Sequence, residues 1–252
     1  MSAPSLVFGI HAVRSLLQRS PARVRRLLTD SRRDDPRIRE LLQLAQTAGI
    51  RSERSDSRAI AGRVGAVAHQ GVLAEIEPLP AWQEADLLEG LAGHGQPLVL
   101  VLDGVQDPHN LGACLRTADA CGALAVVVPK DRAAGMNPTV RKVAAGAAET
   151  TPLVTVTNLS RTMKLLKEAG LWIAGADMAG ERLAYEADLA GPLAVVLGSE
   201  GDGLRDLTRK NCDFLVRLPQ AGSVESLNVS VACGMLLYES LRQRQAGARR
   251  NA

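Results

Sequence analysis

Leu215-Val-Arg-Leu-Pro-Gln-Ala-Gly-Ser-Val-Glu-Ser-Leu-Asn-Val-Ser-Val-Ala-Cys-Gly-Met-Leu-Leu-Tyr-Glu239 is the stretch whose reading decides the fold. It opens as a short apolar strand over residues 214–218, is stopped by Pro219, crosses the small-residue loop Ala221-Gly222-Ser223 and continues as a helix. The apolar residues Val229, Ala232, Cys233, Leu236, Leu237 and Leu241 follow the i, i+3, i+4, i+7 spacing of one buried helical face. A strand that ends in a polar, glycine-containing loop and feeds a helix N-terminus leaves backbone N–H and C=O groups free at a sheet edge. Such edges hold ligands.

Outward from that stretch, apolar runs without polar alternation recur at residues 98–102, 123–128, 153–156, 171–176 and 193–197. A parallel sheet covered on both faces requires strands of that kind. Between them lie helical segments with sensible ends, such as the cap Asn137-Pro138 and the stop at Gly170. The reading is an α/β domain over 97–252, doubly wound, with about six strands. Ahead of it, Pro78, Pro80, Gly90, Gly93 and Gly95 mark a linker over 78–96. Residues 1–77 alternate a helix at 10–17, a strand at 24–28, helices at 36–48 and 57–64 and a strand at 71–76, which makes a small α/β sandwich.

Charge is unevenly placed along the 252 residues. Residues 1–76 carry 13 Arg, no Lys and 7 acids, a balance of +6, whereas 77–252 carry 17 basic and 20 acidic side chains, a balance of −3. The first third therefore suits an anionic partner, nucleic acid being the commonest, although a solvated arginine surface fits the same numbers. With six aromatic residues in the chain, base stacking on an aromatic platform is not the expected mode of binding. Cys114, Cys121, Cys212 and Cys233 show no C-x-x-C spacing, so reduced thiols and no metal are expected. His11 and His69 read as capping or core histidines. No secretory leader or long apolar run is visible, and a soluble, cytoplasmic protein is expected. The tail 243–252 reads as frayed.

Three polar segments follow the carboxyl ends of three of the strands. In the first, Asp103-Gly-Val-Gln-Asp-Pro-His-Asn-Leu-Gly-Ala-Cys-Leu-Arg116, Asn110 reads as an N-cap, and Gly112, one turn before Arg116, leaves room beside the guanidinium. An ordinary pairing of Arg116 with Asp119 fits that segment too. In the second, Leu197-Gly-Ser-Glu-Gly-Asp-Gly-Leu204, glycines after a buried strand allow a ligand near the backbone, with Glu200 placed to meet a cationic or hydroxyl group. It is neither a Walker A loop nor G-x-G-x-x-G, which weakens a nucleotide-dependent oxidoreductase. The third holds Ser226 and Asn228 at the start of the last helix, where both could also serve as caps.

Asp-Pro-His-Asn-Leu-Gly-x-x-x-Arg-Thr-Ala, Leu-Gly-Ser-Glu-Gly-x-Gly-Leu and Leu-Pro-x-x-Gly-x-x-x-Ser-Leu-Asn-Val-Ser, in that order over roughly 130 residues, together resemble the three motifs of the SpoU, or TrmH-like, class of SPOUT RNA 2′-O-methyltransferases. Phe8-Gly-Ile-His-Ala-Val, His69-Gln-Gly-Val and Val128-Pro-Lys-Asp-Arg132 resemble those members that methylate a guanosine 2′-hydroxyl in the peptidyl-transferase region of 23S rRNA. The resemblance implies a catalytic domain with a deep trefoil knot, S-adenosylmethionine as methyl donor, a homodimer, and an N-terminal domain like ribosomal protein L30e that binds RNA. Periodicity alone would give an open Rossmann-like sheet. By position the resemblance assigns Asn110, Arg116, Glu200, Ser226 and Asn228 to the active site and Gly198, Leu218 and Leu227 to the donor. The substrate it implies is 23S rRNA, free or within a pre-50S particle. A tRNA or another rRNA site keeps the same chemistry, and a non-catalytic ribosome-assembly protein on the same fold would have lost motif residues. None is lost.

Overall fold

The computed structural model describes residues 5–65, 69–77, 81–223 and 226–250. The chain divides into two compact units, Met1–Pro80 and Ala81–Ala252.

The first unit runs β1 (Ser5–Phe8), α1 (Ile10–Arg19), β2 (Val24–Asp30), α2 (Pro36–Thr47), β3 (Arg51–Ser55), α3 (Ser57–Val64) and β4 (Val72–Ile76). Its sheet has the order β1-β4-β2-β3, antiparallel except for the parallel pair β2 and β3. Period-2 alternation sorts the side chains onto two faces. Leu27, Val72, Ala74 and Ile76 pack with Val13 and Leu16 of α1 and Ile38 and Leu41 of α2, while Leu28 and Leu73 pack with Ile60 of α3. The expected sandwich gains two strands, β1 and β3. β3 reads Arg-Ser-Glu-Arg-Ser, with no apolar residue to betray it, and pairs in register with β2 from Arg26↔Arg51 to Asp30↔Ser55. A charged edge strand also discourages pairing with other chains.

The second unit comprises α4 (Glu84–Ala92), β5 (Leu98–Asp103), α5 (Pro108–Ala120), β6 (Ala125–Pro129), α6 (Pro138–Ala144), β7 (Leu153–Val156), α7 (Leu159–Glu168), β8 (Trp172–Ala176), β9 (Arg182–Leu183), β10 (Leu193–Gly198), α8 (Asp206–Asn211), β11 (Phe214–Arg217) and α9 (Val229–Arg250). Its seven strands are all parallel, in the order β7-β6-β5-β10-β8-β11-β9. The six expected strands are present, and the two-residue β9 joins them at the edge. Leu98, Leu100 and Leu102 enter one apolar layer with α5, α6 and α9, and Val99 and Val101 enter the other with α4 and α7. From β5 the chain moves outward through β6 and β7 on one side, with β10 on the other. The carboxyl ends of β5 and β10 therefore flank a switch point, where open parallel sheets bind ligands.

Two sequence expectations change here. Residues 81–96, read as linker, belong to the second unit, and α4 within them buries Leu87 and Leu91, four residues apart on one face. The tail is helical through Arg250 rather than frayed. Gln243 Oε1 accepts from Leu189 N at 2.8 Å and its Nε2 donates to the Ala187 carbonyl at 3.0 Å. Arg244 donates to the carbonyls of Gln96 and Gly191, at 2.7 Å each. These bonds hold the helix past its last apolar residue.

Candidate functional site

The three polar segments converge at the carboxyl edge of the parallel sheet. Asn110 is not the cap of α5 as read from sequence. Asp107 takes that place, its side chain accepting from His109 N at 3.0 Å with Pro108 at the first helical position. Asn110 thus falls in the first turn, 8% exposed, with its amide free for tertiary contacts. Its Nδ2 donates to Glu200 Oε1 at 3.1 Å. Asn228 Nδ2 donates to the same oxygen at 2.6 Å and to Asn110 Oδ1 at 3.0 Å, closing a triangle. Asn228 also caps α9, its Oδ1 accepting from Ser230 N at 2.9 Å and Ser230 Oγ at 2.6 Å. Both halves of one amide are used, one for the helix and one for the site.

Glu200 sits on a loop with little freedom. Ser199 and Gly203 exchange two backbone hydrogen bonds of 3.1 Å, and Gly201 and Gly203 take left-handed φ values of 89° and 65°. A Cβ on Gly198 would lie 2.0 Å from the carbonyl carbon and oxygen of Gly203, so only glycine lets strand and loop close. Below the loop, the fully buried Asp103 ends β5 and receives Arg205 through Nε at 2.6 Å, through Nη2, and through the backbone N at 3.2 Å. Hydrogen bonding to Asp103 holds the Arg205 guanidinium further into its charged range. Sequence reasoning missed this brace. Asp103 is visible as the one charge ending an apolar run, but its partner lies 102 residues away.

Two cavities meet at Glu200. One, of about 320 Å³, is lined by Leu197, Gly198, Val216, Leu218, Leu227 and Ala232, with Ser226, Asp177 and the loop 199–203 at its rim. Asp177 is held there by Arg209 at 2.6 Å, a second pair the sequence did not disclose. The other, of about 200 Å³, lies between residues 104–107, Asn110, Ser199, Glu200 and Asp202. Gly198, Leu218, Leu227, Ser226, Glu200, Asn110 and Asn228 are thus brought together.

Arg116 is not. It is exposed, lines neither cavity, and has no hydrogen bond or ion pair among the described residues. Six positions after Asn110 it is turned about 120° around the helix axis. Its sequence-level partner Asp119 instead accepts from Thr150 Oγ1 at 2.8 Å and Thr151 Oγ1 at 3.3 Å. Nor does Gly112 make room for the guanidinium: a Cβ there would strike Val143 Cβ at 2.7 Å and the Val140 carbonyl at 3.0 Å, so this glycine lets α6 pack against α5.

All four cysteines are free thiols. Burial pushes the Cys212 thiol up to about 12, and hydrogen bonding to Cys114 together with burial raises Cys233. His69 Nδ1 accepts from Gly71 N at 3.1 Å, a turn role, while His11 is exposed on α1. Among the described residues no cluster of His, Cys, Asp and Glu could hold a metal ion.

This site lies within a match to the SpoU rRNA Methylase family over residues 97–238, and residues 6–82 match a family described as RNA 2′-O ribose methyltransferase substrate binding. The chain belongs to the SpoU rRNA methylase family. Its relatives include proteins named 23S rRNA (guanosine-2′-O-)-methyltransferase RlmB: that of Pseudomonas syringae pv. tomato is 53% identical, the match covering 98% of each chain. That of Vibrio cholerae is 51% identical, over 96% of this chain and 98% of the other. The SpoU methyltransferase AviRb of Streptomyces viridochromogenes, solved in complex with the cofactor AdoMet, superposes with a TM-score of 0.69 at 27% identity, covering 97% of this chain and 92% of that one.

Proposed function

We infer that this protein is a 23S rRNA (guanosine-2′-O-)-methyltransferase that uses S-adenosylmethionine and acts on a guanosine of the peptidyl-transferase region. The observation that carries the reading is the triangle of Asn110, Glu200 and Asn228, one residue from each of three motifs, standing between two cavities. Identity near 50% to the RlmB proteins over almost the whole chain gives the substrate.

The larger cavity fits the donor. Its volume is that of a small-molecule site, Leu218 and Leu227 offer apolar walls to an adenine ring, and Gly198 and the 199–203 loop offer backbone groups to ribose hydroxyls. S-adenosylmethionine bound there supplies a methyl group on a cationic sulfur. The residues around the smaller cavity hold the acceptor. Asn110 and Glu200 orient the target ribose, with Glu200 Oε2 outside the triangle, and Ser226 and Asn228 shape the loop between the two ligands. Arg116, as a guanidinium, is not suited to act as the base. It clamps the phosphate next to the target ribose and stabilises the developing alkoxide, while that phosphate or a water takes the proton.

Arg116 faces away from Asn110, so its role at one ribose calls for a second copy of the chain, and a homodimer is part of the proposal. Support comes from α9, where Val231, Met235 and Tyr238 are 45, 48 and 65% exposed at i, i+4 and i+7, a stripe opposite the buried face. The trefoil knot and the L30e-like RNA-binding role of the first unit rest on the family resemblance. No helix among the described residues is long and apolar enough to cross a membrane. An rRNA substrate, free or in a pre-50S particle, supports a cytoplasmic location.

The test is methyl incorporation from labelled S-adenosylmethionine into 23S rRNA lacking its modifications, with tRNA alongside and the site mapped by resistance to alkaline cleavage. One protected guanosine in the peptidyl-transferase region is expected. Label confined to tRNA would discard the target and keep the chemistry.

A further inference from the structure

The arginine surplus of the first unit is answered by acids on most of its surface. Arg14, Arg25 and Arg51 reach Glu40, Glu77 and Glu53 at 2.6, 3.2 and 2.9 Å, and Arg26 and Arg63 converge on Glu75. One sheet edge differs. Because β2 and β3 run parallel and β4 runs antiparallel to β2, the carboxyl ends of β2 and β3 and the amino end of β4 lie together. At this edge Arg32 is 78% exposed, with its nearest carboxylate, Asp56, at 3.5 Å. Arg37 and Arg58, in the first turns of α2 and α3, are exposed and have no ion pair among the described residues. Of the aspartates nearby, Asp35 takes Arg33 at 2.5 Å and caps α2, and Asp56 accepts from Arg58 N at 2.7 Å through one oxygen and from Arg32 Nη2 at 3.5 Å through the other.

The backbone beneath these arginines is held in place. Arg33 Nη1 donates to the Gln70 carbonyl, and Arg54 Nη1 donates to the Arg33 carbonyl at 2.6 Å and the Asp30 carbonyl at 3.3 Å. Gln70 sits at φ 51°, a left-handed conformation that disfavours a non-glycine residue, and its Oε1 accepts from Ile10 N at 3.0 Å. Such strain is retained where a fixed shape is needed. Two unpaired guanidiniums, Arg37 and Arg58, and a third, Arg32, held only by the long contact to Asp56, stand at the ends of three separate elements on a braced edge and match spaced phosphates of a polymer rather than one small anion. With so few aromatic side chains in the chain, contact through the backbone phosphates is the mode left to it.

We propose that this edge, through Arg32, Arg37 and Arg58, grips the phosphate backbone of the folded RNA substrate. The proposal rests on the reading that the protein acts on rRNA. Its test compares the full chain carrying R32Q/R37Q/R58Q with R14Q/R25Q/R51Q, which removes the same charge from paired positions. Fluorescence anisotropy would measure binding to a folded 23S rRNA transcript and to tRNA, and calorimetry would measure binding of S-adenosylmethionine. The edge variant should bind RNA about 10- to 100-fold more weakly at about 0.15 M salt, with the slope of log K against log salt reduced by about 2–3. The paired variant should stay within about threefold, and donor binding should hold in both. RNA affinity unchanged in the edge variant, or lost equally in both variants, overturns the proposal. Wild-type binding to tRNA alone would sink the rRNA reading while the edge is still judged on tRNA. No RNA binding by the wild type sinks both.

Discussion

The two sheets of this molecule handle polar residues in opposite ways. In the second unit, the central parallel strands β5, β6, β8 and β10 are apolar along their length, and charge appears where they stop, at Asp103, at Asp177 just after β8, and at Glu200 after β10. In the first unit, charge runs along the strands themselves: Arg26, Glu53 and Glu75 sit side by side on β2, β3 and β4. A sheet covered on both faces cannot hold unpaired charge, so its polar groups collect at one edge, close enough to act on one small centre. A mixed sheet with a charged edge strand spreads its groups over a surface, which suits many weak contacts with a large partner.

Substitutions can break or sharpen that contrast. The largest effect is expected at Arg116, where Arg116→Ala should lower turnover by about 10²–10³-fold or more while calorimetry finds donor affinity unchanged. Retained turnover would remove this residue from the chemistry. Next is Gly198→Ala. The new methyl would meet backbone atoms 2.0 Å away that no rotamer change can clear, so the 199–203 loop must shift. Donor binding should weaken by about 30- to 100-fold, roughly 2–3 kcal/mol. Asp103→Ala leaves the Arg205 guanidinium without its buried partner, and because Arg205 is partly exposed the loss should be about 2 kcal/mol in urea unfolding of the second unit.

The smallest effect belongs to the first unit. Hydrogen bonds from Arg26, then Arg63, hold the Glu75 carboxyl below its ordinary 4.5. A carboxylate depressed on folding contributes stability above its unfolded pKa and loses it as pH falls through the lower folded value. Glu75→Gln should therefore cost about 1 kcal/mol at pH 7, and the gap between variant and wild type should close below about pH 4.5. A gap that persisted in acid would mean that shape, not charge, makes the contact.

Most of the second unit was legible because its main strands are uninterrupted apolar runs and its helices begin at pairs such as Asn137-Pro138. β3 was not, since a polar edge strand has no hydrophobic period, and neither was β9, only two residues long. Asp107-Pro108 repeats the Asn137-Pro138 pattern and could have identified the true cap of α5, so that Asn110 would have been read as free to reach Glu200. The motifs gave the members of the triangle but not the Asp103–Arg205 and Asp177–Arg209 pairs, because a partner across the sheet leaves no trace in local spacing. The orientation of Arg116 depends on helix phase relative to a cavity, which spacing alone cannot supply.

The bond between Asn228 and Asn110 spans 118 positions. Contacts of such separation close large loops and are gained late in folding, after the local helices and neighbouring strands have formed. The core of the second unit is closed by contacts of the same reach, since β5 pairs with β10 from Leu98↔Leu193 and α9 packs with α5, so core and triangle should form together. In a refolding experiment the capacity to bind the donor should return with the tertiary core and not as a separate, slower phase.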